Sequence, residues 1–222
     1  MMEKRKYVNT GVRVLPRATD DKPATITGIA ALYYDGTPNS EFDFYGHFTE
    51  RIMPGAFDRA IREDDVRALF NHNENLILGR TRAGTLRLSS EPTGLGYSVD
   101  VPDTSAGRDV ATSIERGDVT GSSFSFIATD SRWLKVDEVD IREIISVRLL
   151  DVSPVTYPAY ENTSVGMKSL NGGGDDPKAS AAYQEWQATR SAAAAAVDIR
   201  VQAFGRTHAA NLITLPLTED EK

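Results

Sequence analysis

The stretch that best defines the fold is Gly117-Asp118-Val119-Thr120-Gly121-Ser122-Ser123-Phe124-Ser125-Phe126. Its two glycines allow a close backbone approach, and the alternation after them predicts a β-strand with both phenylalanines on one face. Ser123 and Ser125 then lie on the other face. A serine fixed on a strand beside packed rings is better placed for nucleophilic attack than one on a mobile loop. The competing interpretation is that these serines only line the polar face of a half-buried strand.

Further strand signals lie on both sides of this stretch. They cover residues 24–34, 66–70, 85–88, 96–101, 122–128 and 142–150. Two short helices are expected between them, over residues 55–61 and 104–116. Thr104 or Ser105 is the expected N-cap of the second helix, and Gly117 ends it. We therefore expect an α+β fold with a mainly antiparallel, β-barrel-like core and helices packed on it.

A change in composition near residue 170 indicates a domain boundary. Residues 1–170 are expected to form the main domain. Residues 171–177, Asn-Gly-Gly-Gly-Asp-Asp-Pro, predict a flexible hinge. Residues 178–222 are alanine-rich at their start, and one helix is expected over residues 178–204. Because a lone helix cannot bury its own apolar stripe, this helical tail should dock on the main domain, self-associate or bind another protein.

Composition and charge exclude several classes of protein. The 222 residues include 32 acidic and 25 basic ones, a net charge of −7, so nucleic acid is not an expected partner. Cysteine is absent, which excludes disulfides, thiolate metal sites and cysteine nucleophiles. Neither a secretory leader nor an apolar run long enough to span a membrane is evident, so we expect a soluble cytoplasmic protein with no membrane partner.

The candidates for a general base are three histidines, His47, His72 and His208. His72 is the best of them, because an apolar strand runs there into a polar turn. Its alternative is an ordinary turn residue, whereas His47 has aromatic neighbours and His208 follows the tail helix. A base needs an orienting group, and Asp151, which directly follows an apolar strand, is the preferred carboxylate. Glu143 is the alternative.

Signatures of other chemistries are missing from the sequence. It contains no HxH or HExxH pair, no Walker A or GxGxxG loop and no GxSxG elbow. We therefore expect neither a metal nor a cofactor.

Four segments, in order, resemble the prohead maturation proteases of tailed bacteriophages, whose fold is similar to the herpesvirus assemblins. They are residues 48–57, residues 70–73 with 78–80, residues 117–126 and residues 150–160. The resemblance covers roughly residues 10–165. It implies that His72 is the base and Ser123 the nucleophile. The family commonly has glutamate where this chain has Asp151 and often glycine at the place of Ser125.

The resemblance implies a serine endopeptidase that works by acyl transfer. Its implied substrates are the major capsid protein, the scaffold and the protease itself, inside an immature capsid in the host cytoplasm. The loop after Leu78-Gly79-Arg80 would supply the oxyanion donors by analogy. The tail would bind the scaffold or be removed by cleavage in the hinge, and a homo-oligomer is left open. The alternatives are a non-catalytic scaffold protein with the same fold and an esterase-like hydrolase.

Overall fold

The computed structural model describes residues 2–7, 11–17, 23–44, 46–157 and 181–192. The chain divides into two units, Met1–Gly174 and Asp175–Lys222. The strands of the first unit are β1 (Glu3–Tyr7), β2 (Arg13–Leu15), β3 (Thr25–Leu32), β4 (Glu41–Phe44), β5 (Phe48–Ile52), β6 (Arg67–Phe70), β7 (Asn73–Arg80), β8 (Leu86–Glu91), β9 (Gly94–Asp100), β10 (Gly121–Val136) and β11 (Val139–Val155), and its helices are α1 (Asp58–Glu63) and α2 (Ser105–Glu115).

The long hairpin of β10 and β11 is the centre of a seven-stranded sheet. Its tip is a two-residue turn, in which Asp137 and Glu138 have φ angles of 47° and 68°. Such left-handed turns match the right-handed twist of the strands that they connect. The sheet runs β1-β10-β11-β5-β4, and β6 joins β11 further along with β7 at its side. β11 pairs in parallel with both β5 and β6, so this one strand brings distant parts of the chain together.

A second, antiparallel sheet of four strands runs β2-β3-β9-β8. The apolar core joins both sheets and includes Ile26, Val99, Phe124 and Phe126, all fully buried. The rings of Phe124 and Phe126 stack with their centroids 4.9 Å apart. Because successive strand residues point to opposite faces, these two rings commit one face of β10 to the core and leave Ser123 and Ser125 on the other. We call the latter the site face.

A buried ion-pair cluster lies on the core side of the larger sheet. It consists of Glu3, Arg5, Glu50 and Arg142, each no more than 5% exposed. Arg5 Nε is 2.6 Å from Glu50 Oε1, and its Nη2 is 2.8 Å from Glu3 Oε2. Arg142 Nη1 lies 2.9 Å from a carboxylate oxygen of both glutamates. The two positive and two negative charges balance, which buried charges require.

The predicted α+β class is confirmed, but the barrel-like core is corrected. In the part of the chain that the structure describes, the strands form two separate sheets, and no strand of one sheet pairs with a strand of the other. Each expected strand overlaps an observed one, with ends that differ by up to three residues outside the long β10–β11 hairpin, yet β1, β2, β4, β5 and β7 were not expected. Their polar or very short sequences explain the omission, as β1 reads Glu-Lys-Arg-Lys-Tyr.

Both expected helices are present, α2 within one residue of its predicted ends and α1 shifted two to three residues towards the C-terminus. In α2, Thr104 is the N-cap, and its Oγ1 accepts a hydrogen bond of 3.1 Å from Gly107 N–H. Gly117 follows the helix with a φ of 81°, as its predicted role at the helix end requires. α1 begins only at Asp58, because residues 54–57 form turns rather than helix.

Of the second unit, the structure describes residues 181–192, which are helical. Tyr183 and Trp186 pack with ring centroids 5.3 Å apart, and the Arg190 guanidinium lies 5.1 Å from the Trp186 ring centre. The remainder of the helix expected over residues 178–204, the hinge at residues 171–177 and His208 lie outside the described residues. No helix in the described ranges has the length and apolar character to span a membrane.

Candidate active site

Two neighbouring strands form a floor of four polar side chains on the site face. Ser123 and Ser125 belong to β10, and their ladder partners on β11 are Ser153 and Asp151. Paired residues in an antiparallel ladder point to the same face, so the four side chains form a two-by-two group. Asp151 and the three serines are all buried. A histidine brought over this floor therefore meets a hydroxyl and a carboxylate that are already fixed in place.

The turn between β6 and β7 brings His72 to this floor. Phe70 pairs with Asn73, and the two residues between them, Asn71 and His72, have φ angles of 53° and 56°. A left-handed conformation is well tolerated by asparagine, but at a histidine such strain costs on the order of 1 kcal/mol. Strained residues of this kind persist where the surrounding structure holds them, and they concentrate at functional sites.

Asn71 fixes the turn against the end of β11. Its N–H donates to the Pro154 carbonyl oxygen over 3.1 Å. Its side-chain Oδ1 accepts from Thr156 N–H over 2.9 Å, and its Nδ2 donates to Thr156 Oγ1 over 3.0 Å. Three hydrogen bonds thus attach the residue next to His72 to the end of the strand that carries Asp151 and to the residue that follows it. The position of the imidazole is set by the same strand as the carboxylate that it contacts.

The His72 ring joins Ser123 and Asp151 through its two nitrogens. Nε2 is 2.6 Å from Ser123 Oγ, and Nδ1 is 2.6 Å from Asp151 Oδ1. A carboxylate only accepts hydrogen bonds, so Nδ1 carries the ring proton and Nε2 presents its lone pair to the hydroxyl. The structure therefore brings together the three residues that the sequence singled out. This is the arrangement of nucleophile, base and orienting acid that acyl transfer uses.

The carboxylate of Asp151 is stabilised in its charged form. Burial raises its pKa, but hydrogen bonds from His72, Ser125 and Ser153, together with the charge of His72, outweigh burial and hold the pKa below its usual range. Asp151 is therefore ionised at neutral pH. An ionised group at this position can stabilise a positively charged imidazole.

The other candidates lie elsewhere. Glu143 binds Arg132, whose Nε is 2.9 Å from Glu143 Oε2, and so does not serve His72. His47 lies in the turn between β4 and β5, where its N–H donates to the Phe44 carbonyl oxygen. Among the described residues no group of three or more histidine, aspartate or glutamate side chains is placed to hold a metal ion.

The backbone after β7 is already engaged in hydrogen bonds. Arg80 N–H donates to Thr85 Oγ1, and Thr81 N–H donates to the Val66 carbonyl oxygen, each over 3.0 Å. Neither group is available as an oxyanion donor unless the loop rearranges. The placement of the oxyanion donors in this loop stays a prediction.

Ser123 has no exposed surface, and its hydroxyl has a second acceptor. Its Oγ donates to the Arg5 carbonyl oxygen on β1 over 2.8 Å. A hydroxyl has one proton, so it serves either that carbonyl or His72 at any one time. In this state the nucleophile is in reach of its base but is covered from solvent.

Sequence reasoning did not assign a role to Ser153 or to the hydroxyl of Ser125. Ser125 Oγ is 3.1 Å and Ser153 Oγ 3.3 Å from His72 Nδ1. The signal was present, because Ser125 is two residues after Ser123 and Ser153 two after Asp151, which places each pair on one face of its strand. What the sequence lacks is the register that sets β10 beside β11.

Comparisons with known proteins found a matching family model and a similar solved structure. Over residues 14–172 the chain matches the family model of the caudovirus prohead serine proteases. Among solved structures, the capsid assembly protease of bacteriophage T4 is similar, with a TM-score of 0.47 and 12% sequence identity over 71% of this chain and 98% of that one. No curated protein sequence matches the chain. The family match spans well over half of the sequence and confirms the predicted resemblance: the chain belongs to the caudovirus prohead serine protease family.

Proposed function

We propose that this chain is a serine endopeptidase that cleaves capsid and scaffold proteins, and itself, during prohead maturation. The observation that carries the proposal is the continuous hydrogen-bonded series Ser123 Oγ, His72 and Asp151, at 2.6 Å for each link, in a member of a prohead serine protease family. The catalytic residues are then Ser123 as nucleophile, His72 as general base and acid, and Asp151 as the orienting acid.

The proposed reaction is acyl transfer in two halves. Ser123 Oγ bonds to the carbonyl carbon of the substrate while its proton moves to His72 Nε2. The C–N bond then breaks, and His72 returns the proton to the departing amine, which leaves an ester on Ser123. Water then bonds to the ester carbon while its proton moves to His72, the bond between that carbon and Ser123 Oγ breaks, and His72 returns the proton to Oγ as the acid product leaves. Throughout, Asp151 holds the Nδ1 proton and stabilises the charged ring.

Access to Ser123 has to change before a substrate can react. The hydroxyl is fully buried and is shared with the Arg5 carbonyl oxygen. A substrate carbonyl reaches Ser123 Oγ only after the residues that cover this atom move and the hydroxyl proton rotates from the Arg5 carbonyl towards His72. We infer that the described state is a resting one. A resting state of this kind suits an enzyme that shares a capsid with its substrates.

The proposal extends to the organisation and location of the chain. Residues 1–170 would be the protease domain, residues 171–177 a hinge open to self-cleavage, and residues 178–222 a tail that binds the scaffold. The enzyme would act inside the prohead, in the host cytoplasm, without nucleic acid, membrane or cofactor. The major capsid protein and the scaffold would be its partners, and self-association of the protease is left to measurement.

The test is intact-mass analysis of the full chain with the capsid and scaffold proteins of the same phage, comparing wild type, Ser123→Ala and Ser122→Ala. Ser122 is a matched control, since it is equally buried on the same strand but bonds Tyr97 on the core side, with 3.1 Å between the hydroxyls. We expect cleavage at defined bonds by wild type and Ser122→Ala, and none by Ser123→Ala.

Two results would reject the proposal. Equal cleavage by wild type and Ser123→Ala would show that another residue or protein cuts. Intact polypeptides in every sample, including one in which the capsid and scaffold proteins have assembled around the protease, would reject an endopeptidase. Turnover of a small activated ester by wild type alone would then indicate an esterase-like hydrolase. Failure of that ester reaction as well would leave the non-catalytic scaffold protein.

A further inference from the structure

Two serines of the site have no part in the proposed bond-making steps, yet both lie at the histidine. Ser125 and Ser153 are fully buried and stand on adjacent strands beneath the His72 ring. A buried hydroxyl without a function is costly to keep, because it has to find a partner in the protein. Their partners are therefore informative.

The hydroxyls surround the Nδ1 side of the ring and leave the Nε2 side to Ser123. Asp151 Oδ1 is nearest to Nδ1 at 2.6 Å, and the two serine oxygens follow at 3.1 and 3.3 Å. One N–H makes one strong hydrogen bond, and the geometry gives it to the carboxylate. Each serine hydroxyl must then donate its own proton to a hydrogen-bond acceptor.

One of those protons goes to Asp151. Ser153 Oγ donates to Asp151 Oδ1 over 2.8 Å, the same oxygen that accepts from His72. Burial raises the pKa of this carboxyl, but the hydroxyls of Ser153 and of Ser125, its ladder partner, help to hold the pKa below the usual range. With the Ser153 proton committed to Asp151, its oxygen turns a lone pair towards Nδ1. The Ser125 oxygen lies 3.1 Å from the same nitrogen, and both oxygens favour a proton there.

We propose that Ser125 and Ser153 are positioning residues that hold Asp151 against His72 and select the ring tautomer in which Nε2 is free to accept the proton of Ser123. The inference rests on the proposed function only for its kinetic consequence. The tautomer itself is a property of the folded chain, with or without turnover.

The experiment combines histidine ¹⁵N NMR with kinetics on the full-length chain. The sequence has three histidines, so His72 can be assigned with a single His72→Asn variant. We expect the wild type to show a protonated Nδ1 and an unprotonated Nε2. In the double variant Ser125→Ala/Ser153→Ala we expect a mixture of tautomers and a kcat lower by roughly tenfold at unchanged KM, the effect of about one hydrogen bond to a charged group.

Two further variants separate positioning from packing. Ser122→Ala removes an equally buried hydroxyl from the other face of β10 and should leave both the tautomer and kcat as in wild type. Ser153→Thr keeps the hydroxyl and should retain the wild-type ring signals. Unfolding by denaturant is measured on every variant. If the double variant does not fold, the single variants Ser153→Ala and Ser125→Ala carry the test, with the larger effect expected at Ser153.

The outcomes distinguish this inference from the proposed function. Wild-type ring signals and kcat in the double variant would overturn the positioning role while leaving the endopeptidase intact. An equal change in Ser122→Ala would overturn it too, because a general loss of packing would then explain the effect. In a third outcome, the wild type cleaves nothing, and the His72 ring signals differ from those of wild type only in the Ser125 and Ser153 variants. That outcome would reject the endopeptidase and support the positioning role.

Discussion

Two clusters of buried polar side chains lie on opposite faces of the larger sheet, and different interactions hold them together. On the core side, the ion-pair cluster joins two guanidinium groups to two carboxylates. On the site face, one carboxylate, one imidazole and three hydroxyls share their hydrogen bonds. Ladder pairing makes the contrast direct, because Arg5 pairs with Phe124 on one face while Lys6 pairs with Ser123 on the other.

The difference lies in which protons are free to move. Arginine stays charged at any ordinary pH, and each glutamate of the ion-pair cluster contacts both arginines, so the cluster keeps one charge state and one geometry. It attaches β1 to the sheet. The site instead contains an imidazole, which can accept a proton at one ring nitrogen while the other donates to a carboxylate. The first group stabilises the fold, and the second is the proposed catalytic site.

The largest effect is expected from Asp151→Asn. An amide cannot reproduce the acceptor that holds the Nδ1 proton, so the ring adopts the wrong tautomer and kcat should fall by about 10⁴-fold. Cleavage rates of the purified variant measure this. Glu143→Gln is the control and should keep wild-type activity, since Glu143 binds Arg132. The reverse pattern would show that Glu143 is the orienting acid.

A substitution in the ion-pair cluster should lower the stability of the protein and leave its activity unchanged. Glu50→Gln leaves two buried arginines with one carboxylate, and breaking a buried pair in this way costs about 3–5 kcal/mol in the free energy of unfolding. Denaturant unfolding measures the loss. The turnover of the fraction that stays folded should match the wild type. A larger loss of turnover than of folded protein would mean that the cluster also shapes the site.

Acid should weaken both groups through their carboxylates. Burial raises the pKa of Glu50, but Arg5 and then Arg142 hold it below its usual range, and Asp151 is lowered as described above. A carboxyl whose pKa is lower in the folded than in the unfolded state stabilises the protein at any pH above its pKa in the unfolded state, which is near 4. This stabilisation is lost as the pH falls from there through the pKa of the folded state. The free energy of unfolding should therefore be flat from pH 7 to about 5 and fall below about 4.

The pH dependence of unfolding can be compared between wild type and Glu50→Gln. Repeating the titration of unfolding on Glu50→Gln removes one of the two carboxyls, so the curve of the variant should fall less steeply than that of wild type. Parallel curves would show that Glu50 is not responsible for the acid sensitivity.

A smaller effect is expected at the turn that presents His72. Asn71→Ala removes the two side-chain hydrogen bonds to Thr156 and puts at a φ of 53° a residue that tolerates this conformation less well than asparagine. It should cost about 1–2 kcal/mol in unfolding free energy, with lower kcat because His72 is less well held. Asp137→Ala makes a similar change at a φ of 47° in the tip of the β10–β11 hairpin. Its cost in stability should be similar and its kcat unchanged. Equal kcat in both variants would show that the turn does not position the base.

The smallest effect is expected at the edge of the larger sheet, where another arginine–glutamate ion pair is partly exposed to solvent. Arg51 and Glu41 lie 2.6 Å apart, but their side chains are 16% and 21% exposed. Water weakens such pairs, so Arg51→Ala should change the free energy of unfolding by about 0.2–1 kcal/mol. Denaturant unfolding beside Glu50→Gln tests the comparison directly. A loss as large as that in Glu50→Gln would show that burial is not what gives the cluster its strength.

Local pattern was enough to make the residues of the site candidates, and the family resemblance then selected Ser123 and His72 among them. The alternation around Ser123, the strand end at His72 and the apolar run before Asp151 are visible within a few residues of each position. The order of the segments then matched a known family. Which carboxylate faces the histidine was open, because Asp151 and Glu143 lie on the same strand and only the β6–β11 pairing separates them.

The ion-pair cluster was not predicted, for a physical reason. The segment Glu3-Lys4-Arg5-Lys6 has the composition of an exposed polar end, and nothing local shows that alternate residues are buried. The burial of Arg5 depends on Glu50, 45 residues away, and that of Glu3 on Arg142, 139 residues away. Partners at such separations are set by topology, which single-sequence patterns do not contain.

The pairing of β1 with β10 also sets the order in which the chain is able to fold as it is synthesised. Arg5 and Ser123 are 118 residues apart, and Arg142 follows later still. At about 5–20 residues per second, β1 waits roughly 6–28 s for the strand and the arginine that complete its surroundings. During that time its charged residues keep an unpaired strand from associating with other chains. The charges of β1 thus act first on the nascent chain and only later in the folded core, and Ser123 is enclosed only once β10 has paired with both β1 and β11.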